Sequence, residues 1–185
     1  MSAVMQTSRI GRRLVIDSVV ASALLFGTLG PVYAEPPAVS LIGHYSNLVW
    51  TKDEDPHALS GYNLDLYRQG NTVFGNIGVA VGSPEPVLAK LYDISFDEKT
   101  KAISFKAKYS KGTRYHKDIP PEKRDAKVIL TFSGKLSPRW AKGEFVQQDG
   151  YPPFEITAKD KGTLRKTSDT LKPDSIEEWN QLFGN

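Results

Sequence analysis

The residues able to grip a metal or move a proton are few and scattered. The 185-residue chain holds three histidines, His44, His57 and His116, and no cysteine. None of the histidines stand at His-x-x-x-His or His-x-His spacing, the local arrangements that bring two imidazoles to one zinc ion. Lack of cysteine removes thiolate-built zinc and iron–sulfur sites, thiol nucleophiles and disulfides together. Asp53-Glu54-Asp55, just before His57, could attract a divalent cation but lacks the alternating Asp/Asn pattern and closing Glu of an EF-hand loop. A solvated, charged hairpin tip is the expectation there. Neither Gly-x-Ser-x-Gly nor a glycine-rich phosphate loop occurs. No pair of carboxylates stands out for glycoside hydrolysis among so many acids. The expectation is a protein that is not an enzyme and uses no metal or cofactor.

Two features point instead to binding. In Val87–Phe96, Lys90 shares a face with Leu88, Tyr92, Ile94 and Phe96, while Asp93 shares the other with Val87, Ala89 and Leu91. Whichever face is core, one charge points inward, and a buried charge costs several kcal/mol unless paired or hydrated. Either a polar cavity receives it, or Lys90 snorkels at a rim, or a bulge resets the alternation. The second feature is the stretch Ser110–Asp125, the one long connection, which carries Lys111, Arg114, Tyr115, His116, Lys117, Lys123 and Arg124. Long connections in compact domains are usually functional or disordered. Cationic and aromatic residues together suit an anionic ligand or an acidic protein surface. Asp118, Glu122 and Asp125 offset part of that charge, and a solvated loop is the alternative. Tyr109 ends the preceding strand beside this stretch. The candidate ligand-binding residues are Tyr109, Arg114, Tyr115, His116, Lys117 and Lys90.

The elements that must position these residues begin after an address. Arg9, Arg12 and Arg13 precede an apolar run, Ser18 to Leu29, and Val32-Tyr33-Ala34 follows Gly30-Pro31. That order reads as a secretory signal peptide over residues 1–34, cleaved after Ala34. The run of 12 residues is shorter than the ~20 that a membrane span needs, so no stable span is expected after cleavage. The signal takes three Arg and one Asp with it, leaving 21 basic and 20 acidic residues. A nucleic-acid binder needs a cationic surplus to displace counterions, and none is expected here. A periplasmic or secreted location suits both the signal and a cysteine-free chain.

Residues 35–40 form a leader, and from Leu41 to Lys159 apolar residues recur at every second position between turn residues. In Ala102–Tyr109, Ile103, Phe105, Ala107 and Tyr109 share one face and Ser104, Lys106 and Lys108 the other. Similar alternation runs through Tyr62, Leu64 and Leu66; through Val73 to Val81; and through Val128, Leu130 and Phe132. Leu41–Trp50, Val87–Phe96, Trp140–Val146 and a last strand marked by Phe154, Ile156 and Ala158 complete a count of eight. Eight consecutive strands joined mostly by short turns predict an all-β, antiparallel up-and-down barrel, with a two-sheet sandwich as the alternative. Residues 160–185 are read as a linker and a short C-terminal helix. Ser175 and Glu178 form a capping box, and Ile176, Trp179 and Phe183 share the side that docks on the barrel.

Gly43-His44-Tyr45 stands at the start of the first strand, where lipocalin- and avidin-type barrels open with Gly-x-Trp. Together with the Gly75–Gly82 strand and the Ser133-Gly134-Lys135-Leu136 turn, it gives residues 41–159 a pattern that resembles this calycin group of eight-stranded barrels. The resemblance implies a binding protein that takes a small molecule at the barrel mouth. It does not extend to biotin, because avidin-like sites use several tryptophans around the ligand, and only Trp50, Trp140 and Trp179 are present. The alternative from a different class is a periplasmic protein-interaction module, an inhibitor or immunity-type partner, using the 110–125 loop. An open barrel interior favours the first reading and a filled interior the second.

Overall fold

A computed structural model of the chain describes residues 36–50, 58–114, 119–168 and 172–183, all within the unit Pro36–Asn185. The signal-peptide residues, Asp53–His57 and Tyr115, His116 and Lys117 lie outside the described residues.

Among the described residues ten strands follow in chain order: β1 Ser40–Ser46, β2 Val49–Trp50, β3 Leu59–Ser60, β4 Tyr62–Gln69, β5 Thr72–Val79, β6 Val87–Phe96, β7 Ala102–Thr113, β8 Asp125–Leu136, β9 Trp140–Asp149 and β10 Ile156–Thr167. Eight of them close into one antiparallel barrel in the order β1-β10-β9-β8-β7-β6-β5-β4, with β4 returning to β1. Closure leaves no free sheet edge along the paired strands, the solution that the even strand spacing predicted over a sandwich. The remaining pair, β2 and β3, forms a small hairpin of its own.

Alternation in β7 places Ile103, Phe105, Ala107 and Tyr109 inside, and Leu64, Leu66, Ile77, Leu130, Phe132, Phe145 and Leu164 fill the same interior. Its middle is a column of rings. Tyr62 stacks on Phe145 at 4.1 Å, Phe145 meets Phe132 at 4.6 Å, and Phe132 meets Phe105 at 5.2 Å. Room for these rings comes from a cross-strand row of glycines, Gly134 opposite Gly143 opposite Gly162. A Cβ at Gly143 would lie 2.7 Å from the Phe132 ring, and one at Gly162 would lie 2.8 Å from that of Phe145. The glycines let bulky rings lie directly over backbone at the barrel's centre.

Several boundaries differ from the sequence expectation, each for a local reason. The first strand does not run through to Trp50: it stops at Ser46, and Val49–Trp50 pairs with β3 instead. The charged stretch after Tyr109 is partly strand, since β7 continues to Thr113 and only 114–124 connects it to β8. The last strand continues eight residues past Lys159, to Thr167. Phe154 and Ile156 are exposed rather than core; a register shift between Ile156 and Ala158 displaces the start of the strand, and Gly162 and Leu164 supply its inner face.

Both faces of β4 and β5 are covered. The helix α1, Ile176–Leu182, lies on their outer side. Trp179 is buried there with Val39, Tyr67 and Phe74, flanked by Ile176 and Phe183. Phe74 meets the Trp179 ring edge-on at 5.3 Å, an arrangement that aromatic quadrupoles favour. Ser175 caps the helix by accepting from the Glu178 amide at 3.0 Å, while the Glu178 carboxylate accepts from the amide of Asp174. A helix this short draws its stability from such docking rather than from its own hydrogen bonds.

Candidate functional site

An up-and-down barrel gathers alternate connections at opposite ends. One end is closed by tight turns: 70–71, 97–101 and 137–139. The other collects the β2–β3 hairpin, the 80–86 and 114–124 connections and the 150–155 turn. Inward-facing residues at this second end include the polar Gln147 and the phenols of Tyr62 and Tyr109 beside the apolar Val79 and Val128.

Gln147, buried and facing inward, donates from Nε2 to the Tyr62 hydroxyl at 3.1 Å and accepts from Lys111 Nζ at 2.8 Å. Burial pushes the Tyr62 phenol up; the Gln147 hydrogen bond acts the other way, and Asp160 reinforces the rise. Tyr109 is 6% exposed and its hydroxyl has no hydrogen-bond partner among the described residues. Burial pushes its phenol well above the ordinary range, and Tyr62 adds to the effect. The floor beneath this group is the Tyr62–Phe145 stack, so the mouth opens onto packed rings and not onto a deep calyx.

A cavity of about 610 Å³ lies at the lip between β7, β8 and the 150–155 turn. Tyr109, Ser110, Lys127, Val128, Tyr151 and Phe154 are among the residues that line it. The turn is pressed onto β8: the Gly150 amide donates to the Lys127 carbonyl at 2.9 Å. A Cβ at Gly150 would come within 2.5 Å of the Lys127 Cβ, so only glycine lets the turn sit this close. Tyr151, like Tyr109, buries a hydroxyl with no partner among the described residues. Leaving a buried hydroxyl unpaired costs about 1–3 kcal/mol; both tyrosines line the cavity, Tyr109 from a β7 position whose side chain faces the barrel interior. The wall is otherwise mixed, with Ser110 Oγ donating to Asp125 and the Lys127 ammonium 5.7 Å from the centre of the Tyr151 ring.

The sequence-derived candidates divide between several places. Tyr109 is in the cavity wall. Arg114 is at the rim, but its guanidinium is committed to Asp149 at 2.9 Å, tying the connection to β9. Lys90 is not at the mouth and does not point into the barrel. A bulge between Tyr92 and Ser95, with Asp93 at φ 51°, resets the alternation, so Ala89 and Leu91 point inward while Lys90 points out. Tyr115, His116 and Lys117 lie outside the described residues.

On the outer surface Lys90 joins a group that residue spacing did not reveal. Thr167, His44, Asp65, Asn76 and Lys90 form one cross-strand row through β10, β1, β4, β5 and β6. His44 Nδ1 donates to the Asp65 carboxylate, and Asn76 Nδ2 donates to its other oxygen at 2.8 Å. An ionised carboxylate only accepts, so Nδ1 carries the imidazole proton. Trp179 Nε1 reaches Asn76 Oδ1 at 3.5 Å, and Lys90 lies 5.0 Å from the centre of the Trp179 ring while donating to Asn180. This polar row fastens the helix to the barrel. Register, not sequence spacing, brings it together; the available signal was that these residues occupy the polar phase of successive strands. Among the described residues, no group of three His, Asp or Glu side chains is placed to hold a metal ion.

The fold and site define a closed eight-stranded antiparallel barrel, consistent with a calycin-like architecture, with a polar mouth and a cavity at its lip. Comparisons with protein-family models, with curated proteins and with solved structures found no match to this chain.

Proposed function

We propose that the chain is an exported, non-enzymatic binding protein of the lipocalin/avidin type. It takes a small, largely apolar molecule at the lip of the barrel mouth, with export directed by the signal read in residues 1–34. The observation that supports this reading is the lip cavity lined by Tyr109 and Tyr151, two tyrosines whose buried hydroxyls have no partner among the described residues. Ligand pockets are commonly ~300–1,000 Å³, mostly apolar, with a few placed polar groups. The lip cavity has those proportions, and a ligand that displaced the atoms covering either phenol would relieve its burial cost. The packed ring column confines the ligand to the lip.

A second reading is favoured by the same packed interior, together with exposed Phe154 and Ile156 beside the mouth. In it the rim and the 114–124 connection engage a protein partner. Native mass spectrometry of protein purified from its own cell envelope separates the two. A bound small molecule supports the first reading; a companion chain without one supports the second and overturns the first.

A further inference from the structure

We propose that the outer face of β8, β9 and β10 binds an anionic phospholipid bilayer surface. Lys135 of β8 stands directly opposite Lys142 of β9, and Lys142 opposite Thr163 of β10. Arg165 and Lys161 flank Thr163 on the same side of their strand, and Arg165 pairs with Trp140. All four cations are exposed.

Like charges directly opposite in a sheet destabilise it, yet neither Lys135 nor Lys142 has an ion-pair partner among the described residues. On the same face Glu144 of β9 stands opposite Lys161 and bridges to Lys159 at 3.3 Å. Glu144 offsets one charge of this face, which stays net positive through Lys135, Lys142, Lys161 and Arg165, and an external anionic surface can supply the rest.

The shape of the face selects the partner. It is an open sheet surface without walls, which suits a plane of charge better than a small anion. Its aromatic residue is Trp140, 38% exposed at the margin, where an indole can sit among lipid headgroups. A single ring gives no series of stacking platforms of the kind a nucleic-acid strand uses. Each cation held near an anionic leaflet contributes about 1 kcal/mol, and salt screens the attraction.

The test is co-sedimentation with phosphatidylcholine vesicles containing about 30% phosphatidylglycerol, at low and at high salt, beside pure phosphatidylcholine. Wild-type protein is expected to sediment with the anionic vesicles at low salt only. The variant Lys135→Gln, Lys142→Gln, Arg165→Gln is expected to bind roughly a hundredfold more weakly, with an unchanged circular dichroism spectrum. Trp140→Ser, which leaves every charge in place, is also expected to weaken binding. Equal binding to neutral vesicles, or an unweakened triple variant, would overturn the proposal. So would retention on heparin without vesicle binding, which would assign the face to an anionic polysaccharide.

Discussion

Phe145 lies face to face with Tyr62, ring centroids 4.1 Å apart and planes 7° from parallel, and this stack divides a packed barrel from its polar mouth. Tyr62 turns its ring to the core and its hydroxyl to Gln147. One residue thus closes the interior and begins the chemistry of the rim.

Removing the lower ring should cost stability. Phe145→Ala is expected to destabilise the fold by about 3–5 kcal/mol, measured by denaturant unfolding. Gly143→Ala should be costly for the opposite reason, since its Cβ would meet the Ser133 carbonyl at 2.3 Å and the Phe132 ring at 2.7 Å. Overpacking of this kind costs about 1–3 kcal/mol. A neutral Gly143→Ala would mean that the rings do not lie over the glycine row.

The helix is held by an apolar and a polar contact, and these separate by mutation. Trp179→Ala removes the buried ring and is expected to cost about 3–5 kcal/mol. Asp65→Ala deprives His44 and Asn76 of their shared acceptor and should cost about 1–3 kcal/mol. Truncation before Ser175 should expose Val39, Tyr67 and Phe74 and increase binding of an apolar dye. A truncated chain equal to the full one in stability and dye binding would show that the helix is not docked.

The rim should loosen in acid. The Arg114 guanidinium holds the Asp149 carboxyl below the ordinary carboxylate range against the opposing effect of burial, with the Tyr151 amide adding a smaller lowering effect. A depressed folded value stabilises the fold at pH above the unfolded carboxylate value of ~3.9, and that contribution is lost as pH falls through the lower folded one. Limited proteolysis in the 114–124 connection should increase over that acid window in wild type. Asp149→Asn should show the increased cleavage already at neutral pH.

The phenols predict the complementary behaviour in base. Burial raises the Tyr62 and Tyr45 phenols above the ordinary tyrosine range. A raised folded value stabilises the fold below the unfolded one and is lost as pH climbs through the folded one. Ultraviolet titration should therefore find these phenols ionising later than exposed tyrosines, and Tyr62→Phe should remove one late-titrating group.

Fold class was legible because β7 and β8 keep strict alternation, and one buried face per strand in eight strands leaves few solutions. β10 was misread because its inner face offers only Gly162 and Leu164, so Phe154 and Ile156, nearer the turn, carried the apolar signal. The sequence left open whether Lys90 or Asp93 faced inward; of the alternatives, the bulge is the one found, at Asp93, where it shifts the phase of everything after it. The His44–Asp65–Asn76 row was invisible to spacing, since it is assembled by cross-strand register over 33 positions of sequence. Tyr109 was legible from its place at the end of a clean strand. Tyr151 was not, because a turn residue carries no periodicity to say that its hydroxyl is buried.

The central claim is that the Tyr109 and Tyr151 hydroxyls hold a ligand at the lip. The direct measurement is a calorimetric titration of the molecule recovered from native protein into wild type, into Tyr109→Phe with Tyr151→Phe, and into Arg114→Glu with Lys117→Glu. Each lost hydrogen bond is worth about 0.5–1.5 kcal/mol, so the double phenylalanine variant should bind roughly tenfold more weakly while keeping its fold. The charge-reversed variant should change affinity less. Full affinity in the phenylalanine variant, with loss confined to the charge-reversed one, would contradict the account and place binding on the 114–124 connection.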